Sequence, residues 1–358
     1  MATVYACLED RLLVCTDSSV EWTSEVRLEG HRLECVAASP DAPERAFVGT
    51  FEESEARSGS ERATGEPVSG GLFRTTDGGG SFDPLETPFV SESVTALEVS
   101  PHDPDVVYAG TEPSRVYRSS DGGDSWTHLE GIGDLPSAEE WYFPPRPHTH
   151  HVRWLEVDPF DPERLYVGIE AGAFVYSTDS GETWDERPEG SRRDNHTLAV
   201  HPDREGRVYT AAGDGYAESD DGGEFWRHPQ RGLEHTYCWG LAVDPGDPGA
   251  VIVSSASGAR TAHTAENAET YVYRRSGAGA EDATGAAWDR LEDTGLPTGN
   301  GVVRALFATA SDDGVVYAFN NHGLFVSEDF GGRWEPLGLE WPEAYEGQTP
   351  RGLAVVDA

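Results

Sequence analysis

Five of the twelve histidines stand in three segments along the middle of the chain: His148, His150 and His151, then His196, then His235. Imidazoles converging from neighbouring elements would suit one transition-metal ion such as zinc, manganese or copper, although they lack a fixed ligand spacing. Alternatively, these rings bond backbone carbonyls or stack on Trp141, Tyr142 and Trp239. Arginines form a second set. Arg153, Arg304 and Arg351 each stand two residues before the first leucine of a short apolar run, and His196 holds the equivalent place in another. Guanidinium forks arriving from several elements would grip a carboxylate, sulfate or phosphate, with Tyr237 and Trp239 lining the same place. The alternative is that each arginine pairs with a nearby acid such as Glu34 or Glu156. Segment 139–151 (EEWYFPPRPHTHH) packs two acids, three aromatics, three prolines and three histidines into a stiff stretch. As a lid it would offer Glu139 or Glu140 as general acid or base; as a plug it would bind nothing.

The elements that must position these residues are repeats. The pattern Ser-x-Asp-x-Gly-x-Thr-Trp is cleanest at Ser177, Asp179, Gly181, Thr183 and Trp184. Related copies stand at Thr75–Asp77–Gly79, Ser119–Asp121–Gly123, Ser219–Asp221–Gly223 and Ser327–Asp329–Gly331. A worn copy lies at Asp17, Ser19 and Trp22, and an insertion separates Arg275 and Ser276 from Trp288 in another. An aspartate that can bond turn amides, with glycine supplying positive φ, fits a hairpin. A Leu-x-Val-x-Pro strand, an Asp-Pro turn and a Val-Tyr-x-Gly strand precede each turn, most clearly in LEVDPFDPERLYVG from Leu155. Period-two alternation with turns at this spacing predicts four short strands, A to D, per unit.

These turns resemble the Asp-box (BNR) repeat of sialidases, sortilin-type receptors, xyloglucanases and photosystem-assembly propellers, and the haloarchaeal type among them. The resemblance covers essentially the whole chain and implies an all-β propeller of four-stranded antiparallel blades. Six strand-A copies begin at Val36, Leu97, Leu155, Leu198, Leu241 and Leu306, and Gly352–Val355 is a seventh with nothing after it. Val4 to Trp22 reads as a B–C–D remainder. Pairing residues 351–358 with 1–23 would close a single seven-bladed domain over 1–358 and remove its open edge.

The A–B and C–D turns keep nearly constant length, whereas the D–A and B–C connections vary. The long ones are 51–71, 133–152, 254–269, 292–303 and 339–350. Variable loops on a repeated scaffold are where function is usually built. His31, His263 and His322 map to that same face. Resemblance to sialidases implies three arginines on a substrate carboxylate. The chain lacks their Arg-Ile-Pro segment, however, the nearest text being Val26-Arg27-Leu28, and seven blades replace six. Xyloglucanases use two propellers flanking a cleft, so catalytic residues are transferred from neither family.

Composition sets the chemical surroundings. Sixty-five acidic residues against 26 basic ones give a net charge of −39, and every basic residue is arginine. Such repulsion is tolerable where salt shortens the Debye length to about 3 Å at 1 M. The expectation is therefore a high-salt cytoplasm. The aromatic content argues against an acidic disordered chain. Nucleic acid and anionic membrane are disfavoured as partners, being polyanions. Met1 to Val14 has no basic segment followed by an apolar core, so a secretory leader is not expected, and no stretch approaches 18 apolar residues. The four cysteines lack metal spacing and read as buried thiols.

Two functions remain open. One is a funnel site for a small anionic or sugar-like ligand, with a metal-assisted or glycosidase-like hydrolysis or elimination. The other is a non-enzymatic platform for a protein partner, using the variable face and the acidic 51–71 loop.

Overall fold

Seven short antiparallel sheets account for nearly all the regular structure. The computed structural model describes residues 2–18, 20–51, 71–89, 93–276 and 287–357. Most of the 51–71 loop, Ser19 and most of the insertion before Trp288 therefore lie outside the described residues.

The innermost strands are Gly352–Asp357, Leu33–Ala38, Ser93–Val99, Val152–Val157, Asn195–Val200, Tyr237–Asp244 and Leu306–Thr309, numbered here as blades 1 to 7. Blade 1 joins the two ends of the chain. Its inner strand pairs with Ala2–Cys7 in a six-residue antiparallel register from Ala2↔Asp357 to Cys7↔Gly352. Leu12–Asp17 and Trp22–Arg27 complete that sheet, as the strand remainder required. Five blades carry four strands. Blade 5 has three, its outer edge reduced to a single Glu218↔Arg227 bridge, and blade 6 gains a fifth in Gly299–Asn300. The fold is a seven-bladed β-propeller.

Each sheet is apolar on both faces, so neighbouring blades bury one another's surface. Seven hydrophobic clusters result, one per blade-to-blade contact. Tyr5 and Val14 of blade 1 meet Val48 and Phe73 of blade 2, and Phe47 and Leu72 meet Val94 and Tyr117 of blade 3. The series continues until Tyr317 and Phe319 of blade 7 pack on Val4 and Leu13 of blade 1. This ring of small cores lets 358 residues fold without one large interior. All four cysteines are free and buried within it.

The repeated turns cap the outer strands. In the cleanest copy, Asp179 accepts bonds from Thr183 N at 2.8 Å, Thr183 Oγ1 at 2.6 Å and Ser177 Oγ at 2.8 Å. Ser177 Oγ in turn accepts from Gly181 N at 2.8 Å, and Gly181 has φ of 87°, which glycine alone adopts freely. Such bonds hold the equivalent carboxyls of Asp77 and Asp121 down at about 2. These aspartates spend their acceptors on their own turns. Two helices, Ala259–His263 and Glu343–Glu346, are the only α-helical segments among the described residues, and neither is long enough to cross a membrane.

Candidate functional site

In five of the seven blades one backbone device aims one side chain at the central axis. Inner strands 2 to 6 each slip register near their start, at Leu33/Cys35, Val94/Ala96, Val152/Trp154, Asn195/Thr197 and Cys238/Leu241. A bulge adds a residue and re-aims its side chain. The residues at these bulges are Glu34, Thr95, Arg153, His196 and Trp239. Arg304 and Arg351 hold the equivalent place just before the inner strands of blades 7 and 1.

Six of these seven residues line a single cavity of about 420 Å³, and His196 stacks on the sixth, Trp239, with ring centres 3.9 Å apart. The walls above come from D–A loops, through Arg146, His151 and Asp194, and from B–C loops, through Glu9, Glu170 and His263. The variable loops thus build the funnel.

Arg304 is the least satisfied group in it. Its side chain is 2% exposed, Nε lies 3.0 Å from His263 Nδ1, and Nη1 has no hydrogen-bond partner. Among the described residues it has no ion pair. Burial and then the neighbouring Arg153 and Arg351 depress its proton affinity, yet a guanidinium remains charged in proteins. Its guanidinium carbon lies 4.0 Å from the centre of the Trp239 ring, and that of Arg153 lies 5.0 Å away. Arg351 has Glu9 at 3.1 Å and Glu34 at 3.7 Å, while among the described residues Arg153 has only Glu170 at 3.9 Å. Buried Nε atoms of both are unpartnered, as are His151 Nδ1, His196 Nε2 and Trp239 Nε1. Unsatisfied buried polar atoms are rare in folded proteins, so their concentration here marks a place built for something other than stability.

Two histidine tautomers follow from their partners. Arg304 Nε–H donates, so His263 Nδ1 accepts and its Nε2–H donates to Tyr237 Oη at 3.0 Å. The Tyr237 hydroxyl proton is then free to donate into the funnel. Burial, with Arg304 beside it, pushes the His263 ring down to about 2, which keeps it neutral. His151 Nε2 donates to Glu170 Oε2 at 3.0 Å. Burial raises the Glu170 carboxyl, but the hydrogen bond from His151 and the nearby Arg153 charge outweigh it, and it stays ionised. Burial, with Glu170 adding to it, moves the Asp194 carboxyl upward.

The structure therefore gathers Arg153, Arg304, Arg351, Tyr237, Trp239, His151 and His196. It does not gather the expected five-histidine cluster. His150 Nδ1 bonds Ser114 Oγ at 2.8 Å beneath Trp141, His235 bonds Tyr273 and stacks on Tyr271, and His148 is exposed. Of these segments' histidines, His151 lines the cavity, whereas His148, His150 and His235 do not. Glu139 and Glu140 stand on an exposed turn outside the cavity, Glu140 being paired with Arg187 at 2.7 Å. Segment 139–151 is neither a loose lid nor a full plug. Phe143 to Arg146 form part of the wall, anchored where Arg146 Nε meets Glu112 at 2.8 Å.

The acids at the site were missed in the sequence, although a signal existed. Glu112 and Glu170 close the successive strands VYAGTE and LYVGI-E at the same repeat position. Asp194 lies two residues before His196 with no repeat counterpart.

Comparison with known proteins agrees with this architecture. Family models give no match to the chain. Over 294 residues, 72% of this chain and 34% of the relative, it is 24% identical to an oligoxyloglucan-reducing end-specific xyloglucanase of Emericella nidulans. The chain is similar to xyloglucanase propellers. It spans about a third of the length of these curated relatives. The solved GH74 xyloglucanase from Xanthomonas campestris superposes with a TM-score of 0.64 at 17% identity, covering 92% of this chain and 52% of that one. YCF48 bound to D1 peptide superposes with a TM-score of 0.57 at 15% identity, covering 86% of this propeller and 80% of that chain. At these identities the solved structures show the fold alone.

Proposed function

We propose that the central funnel binds a small molecule carrying a carboxylate, sulfate or phosphate, as a sugar acid does. The observation that carries this reading is Arg304: a fully buried guanidinium with an unsatisfied nitrogen and no acidic partner among the described residues. An uncompensated buried charge costs several kcal/mol in about any protein, and its two nearest like charges add to that cost. An anionic group between Arg304, Arg153 and Arg351 would supply both the countercharge and the missing acceptors. Tyr237 would donate a further bond, and Trp239 offers an apolar edge for a ring.

The xyloglucanase relatives make a glycoside the first substrate class to try, although a propeller alone assigns no reaction. The turns support membership of the Asp-box propellers. The acidic, lysine-free composition supports a molar-salt cytoplasm of haloarchaeal type. A protein-binding platform would present a continuous apolar surface. Among the described residues, the large exposed apolar side chains are instead scattered as Val20, Val26, Tyr142, Phe160 and Phe225. A peptide bearing a terminal carboxylate is the protein ligand this site would accept.

The test is calorimetric titration of the full chain in molar KCl with sulfate, phosphate, a uronic acid and a carboxyl-terminal peptide. Saturable binding of one of these, lost in Arg304→Met and Arg351→Met, supports the reading. Absence of binding by all four, or binding undiminished in both variants, overturns it.

A further inference from the structure

His196 poses a problem that the arginines do not solve. Its ring is fully buried, and Nδ1 lies 2.6 Å from the carbonyl oxygen of Cys238. A carbonyl oxygen only accepts, so Nδ1 carries the proton and Nε2 of the neutral ring presents a bare lone pair. That Nε2 has no hydrogen-bond partner. It faces Asp194 Oδ1 at 3.7 Å, and one donor atom each from His196, Asp194 and Glu170 lies within 4.8 Å of the other two. A lone pair turned toward two carboxylates is repulsive unless positive charge stands between them. Arg153 reaches Glu170 only at 3.9 Å and makes no bond to His196.

We propose that Glu170, Asp194 and His196 hold a first-row divalent cation, manganese or zinc, in the wall of the funnel. One imidazole nitrogen with two carboxylate oxygens is a donor set for such ions. Around an ion with bonds of about 2.1 Å, adjacent donors stand about 3.0–3.4 Å apart, so the three groups need close by no more than about 1.4–1.8 Å.

The surroundings already orient each ligand. Metal-bound histidines typically give their other N–H to a carbonyl or carboxylate, as His196 does to Cys238. His151 Nε2–H fixes Glu170 Oε2, and the Ala171 amide donates to Asp194 Oδ1 at 2.8 Å. Glu170 and Asp194 both line the cavity, so the remaining coordination positions open toward it. The cation site itself does not depend on the anion reading. Its link to function does, because a carboxylate or phosphate held by Arg153 and Arg304 would there complete the coordination shell.

The test uses chelator-treated full-length protein in molar KCl, titrated with Mn2+ alone and followed by the resonance signal of free Mn2+, then with Zn2+ by calorimetry. The expected result is saturable binding of one ion per chain. Asp194→Asn and His196→Gln should weaken it by about tenfold or more. A nitrogen coupling on bound Mn2+ should be present in the native protein and lost in His196→Gln. Melting curves show that each variant is folded, and Asp194→Asn, being nearly isosteric, serves if His196→Gln does not fold. Unsaturable binding, or undiminished binding in the folded variants, overturns the proposal and makes a proton on Nε2 the occupant. Titrating sulfate into the metal-free protein separates this outcome from failure of the anion site.

Discussion

The Arg304 guanidinium carbon lies 4.0 Å from the centre of the Trp239 ring, so a buried cation rests on an aromatic surface where an acid would ordinarily be. The same indole carries the His196 ring at 3.9 Å. Residues from the inner strands of blades 5 and 6 and from the approach to blade 7 therefore share one support. A cation over an aromatic ring is worth about 2 kcal/mol when desolvated, which offsets only part of the burial cost.

Arg304→Met should consequently separate stability from binding. Removing an unpaired buried charge in favour of an apolar chain of similar length is expected to leave the melting temperature unchanged or higher. The thermal shift given by a bound anion should disappear in the same variant. A melting temperature several degrees lower, with the anion shift intact, would show that Arg304 is structural.

Trp239 should matter to both quantities. Trp239→Ala removes a side chain that is 5% exposed and leaves Arg304 and His196 without their support. The expected loss is about 3–5 kcal/mol in urea unfolding. Trp239→Phe should recover part of the stability and part of the anion affinity.

The inner strands of blades 3 and 4 set a pH dependence. Glu98 and Glu156 come from neighbouring inner strands; burial holds Glu156 up at about 7 despite its bond from Trp154, and burial with Glu156 beside it raises Glu98. A raised folded-state value means that the stabilising contribution is complete below the ordinary carboxyl value of 4.5 and is lost as pH rises through about 7. Unfolding free energy should fall across that window. Glu156→Gln should flatten the slope and gain about 1–3 kcal/mol at pH 8, as read from urea unfolding at a series of pH values.

The repeated turns should affect stability alone. Ser177→Ala removes the acceptor of the buried Gly181 amide and a bond to Asp179. The expected cost is about 1–3 kcal/mol, with anion and cation affinities unchanged by calorimetry.

Glu139→Gln and Glu140→Gln should leave ligand binding unchanged, because both acids sit outside the cavity. Loss of the exposed Glu140–Arg187 pair should leave stability nearly unchanged. A fall in anion affinity in either variant would mean that this turn reaches the ligand.

The sequence by itself determined the architecture, because everything that specifies a blade is local. Alternation gives the strands, Ser177–Asp179–Gly181 and its copies give the hairpins, and the lone strand at Gly352 with its B–C–D complement at Val4 closes the ring. Arg153, Arg304, Arg351 and His196 were legible for the same reason, since a repeat position that projects inward in one blade does so in the next. What only the tertiary structure decided was which polar groups meet. His148 and His151 are three residues apart, yet one is exposed and the other donates to Glu170, because the loop turns between them. Asp194 and His263 arrive from connections of unrelated length and sequence, and nothing local encodes where such loops end. The lone pair of His196 facing two carboxylates depends on a carbonyl 42 residues away fixing its tautomer, a relationship that exists only once blades 5 and 6 have packed.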